Sequence, residues 1–159
     1  GRYLDTTLEN FKKTLEISCF SLTKISKKGI DLMNNNGSIV TLSFYGAEKV
    51  MPNYNVMGVA KAALETSIKY LSIDLGLKNI RINGISAGPM RTLSGAAIKN
   101  SRKIYNFTKD NSPLQRNVSL EELGNTTTYL ISDLSTAVTG EILYVDCGYN
   151  IIGMPNKDI

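Results

Sequence analysis

Residues 38–61, SIVTLSFYGAEKVMPNYNVMGVAK, decide the fold of this chain. The apolar, β-branched run SIVTLSF is typical of a buried strand over Ser38–Phe44, and GAEKVMPN has the composition of a loop. Apolar residues at helical spacing follow the loop and predict a helix over Tyr54–Leu75. Strand, loop and helix in this order form the repeating unit of α/β folds with a parallel sheet.

Further helices and strands are predicted on both sides of this stretch. A long helix is expected from Thr7 to Met33, begun by a capping box of Thr6 and Glu9. Its core-facing stripe is Phe11, Leu15, Ser18, Leu22 and Ile25. Two more strands are expected over Ile80–Ser86 and Glu141–Asp146, on either side of a polar, helix-prone segment over 92–110 and a helix from a Ser119–Glu122 capping box to Ser132.

These elements predict an α/β fold, namely the C-terminal half of a doubly wound parallel-sheet (Rossmann-type) fold. The first βαβ unit of such a fold carries a Gly-rich turn that binds pyrophosphate, and this sequence contains no such turn. Three parallel strands alone would also leave a long unpaired edge. We therefore expect residues 1–159 to be the C-terminal part of a single dinucleotide-binding and catalytic domain.

Composition excludes several classes of function. The 159 residues are 42% hydrophobic and 20% charged, with a net charge of +4, and contain no apolar run that approaches the ~18 residues of a membrane span. A cytoplasmic protein without a membrane partner is expected. Without histidine, the Ser-His-Asp triad and HExxH zinc sites are excluded, and the two cysteines lack metal-binding spacing, so no metal is expected. No nucleic-acid-binding motif accompanies the positive charge.

Tyr54 and Lys61 are the candidate catalytic pair. Seven positions on a helix return a side chain to nearly the same face, so the two groups are expected side by side. An ammonium beside a phenol lowers the pKa of the phenol, and the pair could then act on a carbonyl oxygen. The same spacing is also typical of a half-buried ring beside a lysine that reaches solvent. The position at the carboxyl edge of a parallel sheet, which Ser43 shares, favours a ligand site.

Three segments carry a family resemblance: LSFYGAEKVMPNYNVMGVAKAALE, RINGISAGPMRTL and TGEILYVDCGYNI. They resemble the enoyl-acyl-carrier-protein reductases, a divergent branch of the short-chain dehydrogenase/reductase family. Six residues separate Tyr54 from Lys61 as in that branch, and Gly58 stands where ordinary members of the superfamily have the lysine. The resemblance implies NAD(P)H-dependent reduction of the double bond of a trans-2-enoyl-acyl-carrier-protein in fatty acid synthesis. NADH is the expected cofactor, and NADP is left open.

The resemblance also implies roles for individual residues. Tyr54 would hydrogen-bond the thioester carbonyl, and Lys61 would bind the nicotinamide ribose and support Tyr54. Residues that would contact the cofactor are Ser43, Lys61, Gly88, Pro89, Met90 and Thr92. Residues that would contact the acyl substrate are Phe44, Tyr54, Met57, Ile98 and Ile104.

Partners follow from the same resemblance, which implies acyl carrier protein with its enoyl chain as substrate and a homotetramer as the assembly. The basic residues Lys99, Arg102 and Lys103 are a candidate docking site for the acidic carrier. Two other readings stay open. The protein could be a related oxidoreductase that acts on a ketone or alcohol, or a non-catalytic fragment that pairs with another chain. If the protein is an enoyl-acyl-carrier-protein reductase, the isolated chain is expected to be inactive.

Overall fold

A computed structural model describes residues 2–92 and 101–155 of the chain. In this part of the chain, three parallel strands form one sheet in the order β1-β2-β3, with helices on both faces. None of the helices described combines the length and apolar character needed to cross a bilayer. The strands are β1 (Ser38–Phe44), β2 (Arg81–Ala87) and β3 (Ile142–Val145), and the helices are α1 (Leu8–Leu15), α2 (Ser21–Gly29), α3 (Val56–Gly76), α4 (Ser101–Asn111) and α5 (Leu120–Ile131).

The strands lie close to their predicted positions. The bounds of β1 are those expected, whereas β2 begins at Arg81 because the amide of Ile80 donates to the Leu75 carbonyl at the end of α3. At β3, the predicted final residue Asp146 lies beyond the strand, where its carboxylate accepts from the amides of Gly148 and Asn150. The last residues of the three strands therefore meet at one edge of the sheet.

The first helix departs from the predicted regular α-helix. Thr7, not Thr6, caps α1, since its hydroxyl accepts from the amide of Asn10. A π-helical segment over Glu16–Phe20 separates α1 from α2. A wider turn of this kind shifts the downstream face by about one residue. The predicted inward position of Ile25 is therefore wrong: Ile25 is 68% exposed, and Ser26 is buried in its place.

Two apolar clusters fill the space between sheet and helices. On one face α3 contributes Ile68 and Leu75, which pack with Ile80 and Ile82. On the other face α5 contributes Leu123 and Leu130, which pack with Ile85, Ala87 and Val118. A Cβ at Gly84 would lie 2.7 Å from Ile142 Cδ1 and 2.9 Å from Ile68 Cδ1, so glycine leaves room for both isoleucine side chains over β2.

Arg81 joins the start of β2 to the end of α5. Its guanidinium is buried and donates to the Leu130 carbonyl at 2.8 Å, the Ser135 hydroxyl at 2.7 Å and the Ser132 carbonyl at 3.0 Å. The last carbonyls of a helix have no partner within the helix, and a buried carbonyl without a partner is costly. Arg81 therefore supplies donors to a helix end that the sheet covers.

We expect Arg81→Met to lower the free energy of unfolding by about 2–3 kcal/mol, because charged donors to buried carbonyls are lost. Urea denaturation measures this loss. Lys78→Met is the control, since it removes a cation whose ion pair with Asp31, 2.6 Å long, is exposed. The control should cost less than about 1 kcal/mol. Equal losses in the two variants would contradict a structural role for the buried guanidinium.

Candidate active site

The position of Tyr54 differs from the prediction. Helix α3 begins at Val56, and Tyr54 lies in the preceding turn, where its carbonyl accepts from the amide of Met57 at 3.0 Å. Asn55 has φ 46° and ψ −122°, a conformation that no helix contains. The expectation that Tyr54 and Lys61 share one face of a helix is therefore wrong. The turn, rather than helical spacing, sets the direction of the Tyr54 side chain.

The Tyr54 ring packs against the end of β1. It meets the Phe44 ring edge to face, with centroids 5.0 Å apart and planes at 67°, and it covers the backbone of Gly46. Burial raises the pKa of the Tyr54 phenol to about 12. The predicted lowering of this pKa by Lys61 is therefore wrong for this structure. At neutral pH the group is a protonated phenol, which can donate a hydrogen bond.

Gly58 explains the spacing between tyrosine and lysine. A Cβ at this position would lie 2.7 Å from the carbonyl oxygen of Gly46, closer than packed atoms approach. A lysine at position 58, as in ordinary short-chain dehydrogenases, would displace the loop that carries Tyr54. The first lysine further along α3 is Lys61, about one turn away.

The Lys61 side chain contacts β1 near the carboxyl end of the strand. Its Nζ donates to the Leu42 carbonyl at 2.7 Å, and partial burial lowers the pKa of the ammonium, an effect that the charge of Glu65 opposes. Glu65 follows Lys61 by one turn of α3 and accepts a short hydrogen bond from the Ser43 hydroxyl. Sequence analysis missed Glu65. Its four-residue spacing from Lys61 was the available signal.

Hydroxyl groups form a row across the sheet beneath α3. Ser43 on β1 is in register with Ser86 on β2, and Ser86 is in register with Tyr144 on β3. The Tyr144 hydroxyl donates a short hydrogen bond to Glu48. The buried Ser86 hydroxyl has no hydrogen-bond partner among the described residues. The row therefore brings Ser86 and Tyr144 to the face of the sheet that carries the predicted site residue Ser43.

A narrow cleft, too small to hold a water molecule, lies beside this row at the carboxyl ends of the strands. The Gly88-Pro89 turn after β2 forms one wall, and a Cβ at Gly88 would lie 3.0 Å from the Cα of Asp146. Thr108 of α4 also lines the cleft, and its buried hydroxyl has no hydrogen-bond partner among the described residues. The lining residues are Phe44, Tyr45, Met51, Gly88, Pro89, Thr108, Asp146 and Tyr149.

The remaining predicted site residues are less closely grouped. The Met90 side chain packs against the core cluster of α5, away from α3, and Thr92 is exposed after it. Met57 and Ile104 are partly buried, on α3 and α4. Ile98 lies outside the described residues. The functional roles assigned to all these residues, and to Ser43, Tyr54 and Lys61, remain predictions. Among residues 2–92 and 101–155, no cluster of ligating side chains could hold a metal ion.

The parallel sheet and the polar groups at its carboxyl edge place the chain among the Rossmann-type α/β proteins, as predicted. The model of one family within this class, described as Enoyl-(Acyl carrier protein) reductase, matches residues 1–150. The chain belongs to this family.

Individual relatives agree with the family. The chain is 58% identical over 153 residues to the enoyl-[acyl-carrier-protein] reductase [NADH] of Rickettsia typhi, covering 96% of this chain and 59% of the relative. The crystal structure of FabI from Candidatus Liberibacter asiaticus superposes with a TM-score of 0.95 at 55% identity, covering 98% of this chain and 60% of that one.

A second solved structure is the Anaplasma phagocytophilum enoyl-(acyl-carrier-protein) reductase in complex with NAD. Its TM-score is 0.94 at 55% identity, and the match covers 98% of this chain and 60% of that chain. The described fold is therefore that of the matching part of these reductases. The chain spans less than two thirds of the length of each relative.

We expect Gly58→Ala to destabilise the protein by about 1–3 kcal/mol, the usual range for an extra methyl group in packed structure. Gly124→Ala on α5 is the matched control, since a Cβ there meets no atom within 4 Å. That helical substitution should stabilise by about 0.5–1 kcal/mol. Thermal denaturation measures both effects. A neutral or stabilising Gly58→Ala would show that the loop has room for a side chain.

Proposed function

We propose that this chain is the catalytic portion of an NADH-dependent enoyl-acyl-carrier-protein reductase, which reduces the double bond of a trans-2-enoyl thioester in fatty acid synthesis. The observation that carries the proposal is a protonated Tyr54 phenol against the end of β1, with the Lys61 ammonium at the same sheet edge. Membership of the reductase family and the names of its relatives support the same reaction.

Tyr54 serves the reaction as a hydrogen-bond donor. When hydride reaches the β-carbon of an enoyl thioester, negative charge develops on the thioester carbonyl oxygen. A phenol whose pKa is about 12 keeps its proton at neutral pH and can donate a hydrogen bond to that oxygen. One positioned donor of this kind contributes about 2.7–4 kcal/mol to the transition state. The Phe44 ring and the Gly46 backbone hold the phenol in place.

We place the nicotinamide part of the cofactor at the carboxyl ends of the strands, the edge at which open α/β sheets bind their ligands. NADH would supply the hydride. Gly88 lets the turn after β2 pass close to Asp146, and the Thr108 hydroxyl nearby, which has no partner among the described residues, is a polar group that a ligand could engage. Lys61 would bind the ribose hydroxyls. Ser43, Pro89, Met90 and Thr92 would complete the cofactor contacts, and Phe44, Met57, Ile98 and Ile104 would face the acyl chain.

Within the residues that the structure describes, one edge of β1 has no neighbouring strand, and this observation is relevant to the domain organisation. In the described part of the chain β1 pairs only with β2, and Leu42 on β1 is 52% exposed. An uncovered edge of a parallel sheet is unusual. We propose that these 159 residues form the C-terminal part of a single nucleotide-binding domain, in which a further strand and the Gly-rich unit cover this edge. The partial coverage of the relatives supports this arrangement.

Exposed apolar side chains on the outer face of α3 and the π-helical segment support the proposed homotetramer. Burial of exposed apolar side chains against a second copy of the chain favours a homo-oligomer. The residues concerned are Ile17, Phe20, Tyr70, Ile73 and Leu77, which are 55–89% exposed.

The catalytic proposal is tested in the full-length protein that carries this sequence, by NADH oxidation with a short enoyl thioester. Tyr54→Phe should lower kcat about 100-fold or more, because one donor to the developing oxyanion is lost, with little change in NADH affinity. Lys61→Ala should lower kcat and also weaken NADH binding. Tyr129→Phe, a partly exposed tyrosine on α5, is the matched control and should leave kcat and NADH affinity unchanged.

The same assay separates the alternative functions. Full turnover by Tyr54→Phe would remove the carbonyl-donor role. Reduction of a β-ketoacyl thioester in place of the enoyl substrate would assign the protein to the ketone and alcohol oxidoreductases. Failure to oxidise NADH or NADPH with either thioester would favour a non-catalytic role.

The acyl carrier protein is the proposed protein partner, and the basic residues of α4 are its proposed docking site. Arg102 and Lys103 are exposed on this helix, while Lys99 lies outside the described residues. Arg102→Glu with Lys103→Glu should raise KM for carrier-bound substrate about 10-fold, because rim charges steer association, and leave KM for a small thioester unchanged. Lys27→Glu with Lys28→Glu on α2 is the control. Equal effects on both substrates would rule out docking at α4.

A further inference from the structure

Glu65 occupies a central position beneath the proposed site without a role in the reaction described above. It lies on the inner side of α3, one turn after Lys61, and faces the end of β1. Its carboxylate accepts the proton of the Ser43 hydroxyl in a short hydrogen bond. Ser43 itself is only 5% exposed, so this bond is sheltered from water.

The bond to Glu65 restricts what Ser43 can offer a ligand. A serine hydroxyl has one proton and two lone pairs. Because the proton is donated to Glu65, only the lone pairs remain, and Ser43 can act toward a bound ligand only as an acceptor. Its possible partners are therefore donors, such as an amide N–H or a protonated hydroxyl. A carboxylate at position 65 enforces this direction, whereas an amide could donate to Ser43 as well as accept from it.

The charge of Glu65 also acts on Lys61. Partial burial lowers the pKa of the Lys61 ammonium, and Glu65 opposes this change. Conversely, burial raises the pKa of Glu65, and Glu48 adds to the rise. The Ser43 hydrogen bond and the cations Lys69 and Lys61 of α3 act in the opposite direction. From β3, Tyr144 also faces this group, since the charge of Glu65 contributes to its raised pKa.

We propose that Glu65 is a positioning residue of the reductase site: it holds Ser43 as a hydrogen-bond acceptor and places a negative charge one turn of α3 after Lys61. The effect on Lys61 is a property of the folded chain alone. The effect on turnover rests on the proposed function.

The signs of the pH effects follow from these contacts. As the pH falls through the raised pKa of Glu65, its carboxylate is protonated and Lys61 loses the opposing charge. As the pH rises through the lowered pKa of Lys61, the ammonium is lost. Glu65→Gln removes the carboxylate at every pH, so the pKa of Lys61 should fall further, and the alkaline limb of kcat/KM should move to lower pH.

The direct test measures the Lys61 pKa in the full-length protein by competitive acetylation and peptide mass spectrometry, without cofactor or substrate. We expect Glu65→Gln to lower this pKa by about 1 unit, as the loss of a neighbouring opposite charge does. Asp74→Asn is the matched control, since it removes one exposed carboxylate from the same helix and should leave the Lys61 pKa unchanged. An unchanged pKa in Glu65→Gln, or equal shifts in both variants, would overturn the proposal.

Kinetics separate positioning from a merely structural role. Glu65→Gln should shift the alkaline limb of kcat/KM by about 1 pH unit. Because the glutamine oxygen can still accept from Ser43, the value near pH 6.5 should change by less than about 3-fold. Ser43→Ala keeps the charge of Glu65, so it should leave the limb in place and weaken NADH binding. A uniform loss of activity at all pH values in Glu65→Gln would indicate only structural damage and would contradict the proposal.

Failure of the proposed function gives a different pattern. If the full-length protein reduced no enoyl thioester, the acetylation measurement would still decide whether Glu65 governs Lys61. Folding of the variant is not at risk from lost charge, because burial disfavours the charged carboxylate and glutamine has nearly the same shape.

Discussion

The parallel pairing of β1 with β2 runs for seven residues, from Ser38 opposite Arg81 to Phe44 opposite Ala87. Because the pairing is in register, both strands end at the same level, and β3 ends beside them. The period of two in a strand then brings one hydroxyl from each strand to the face that α3 covers. A shift of one residue in either pairing would turn these groups to the α5 side, among apolar residues. The candidate site therefore depends on this register.

Much of the fold follows from the sequence because its strands are short, apolar and followed by strong turn signals. The bounds of β1 and the Ser119–Glu122 capping box are those expected, since both depend on local residue types. The family, and with it the fold class, is confirmed by the comparisons. The start of α3 was misplaced because apolar spacing extends back over Tyr54, whereas Asn55 adopts a backbone conformation that spacing does not reveal.

The candidate site was less predictable than the fold. Its electrostatics depend on burial, which periodicity does not measure: the Tyr54 phenol loses solvent without gaining a charged neighbour, so its pKa rises instead of falling. Glu65 was missed because its importance comes from Ser43, a residue 22 positions earlier that only the folded sheet brings near. The same limit explains Ile25, whose exposure follows from a π-helical turn with no clear sequence signal.

Because of the contacts of Arg81, the two ends of the sheet should respond differently to a change of pH. At the amino-terminal end of β2 its guanidinium binds carbonyl and hydroxyl oxygens. Arginine stays protonated at accessible pH, and such oxygens carry no titrating charge. At the carboxyl-terminal end, the contacts between helix, loop and sheet involve Lys61, Glu65 and Tyr144, all of which titrate. Acid or alkali should therefore loosen the molecule first around the edge that carries the candidate site, while the opposite end of the sheet stays attached to its helix.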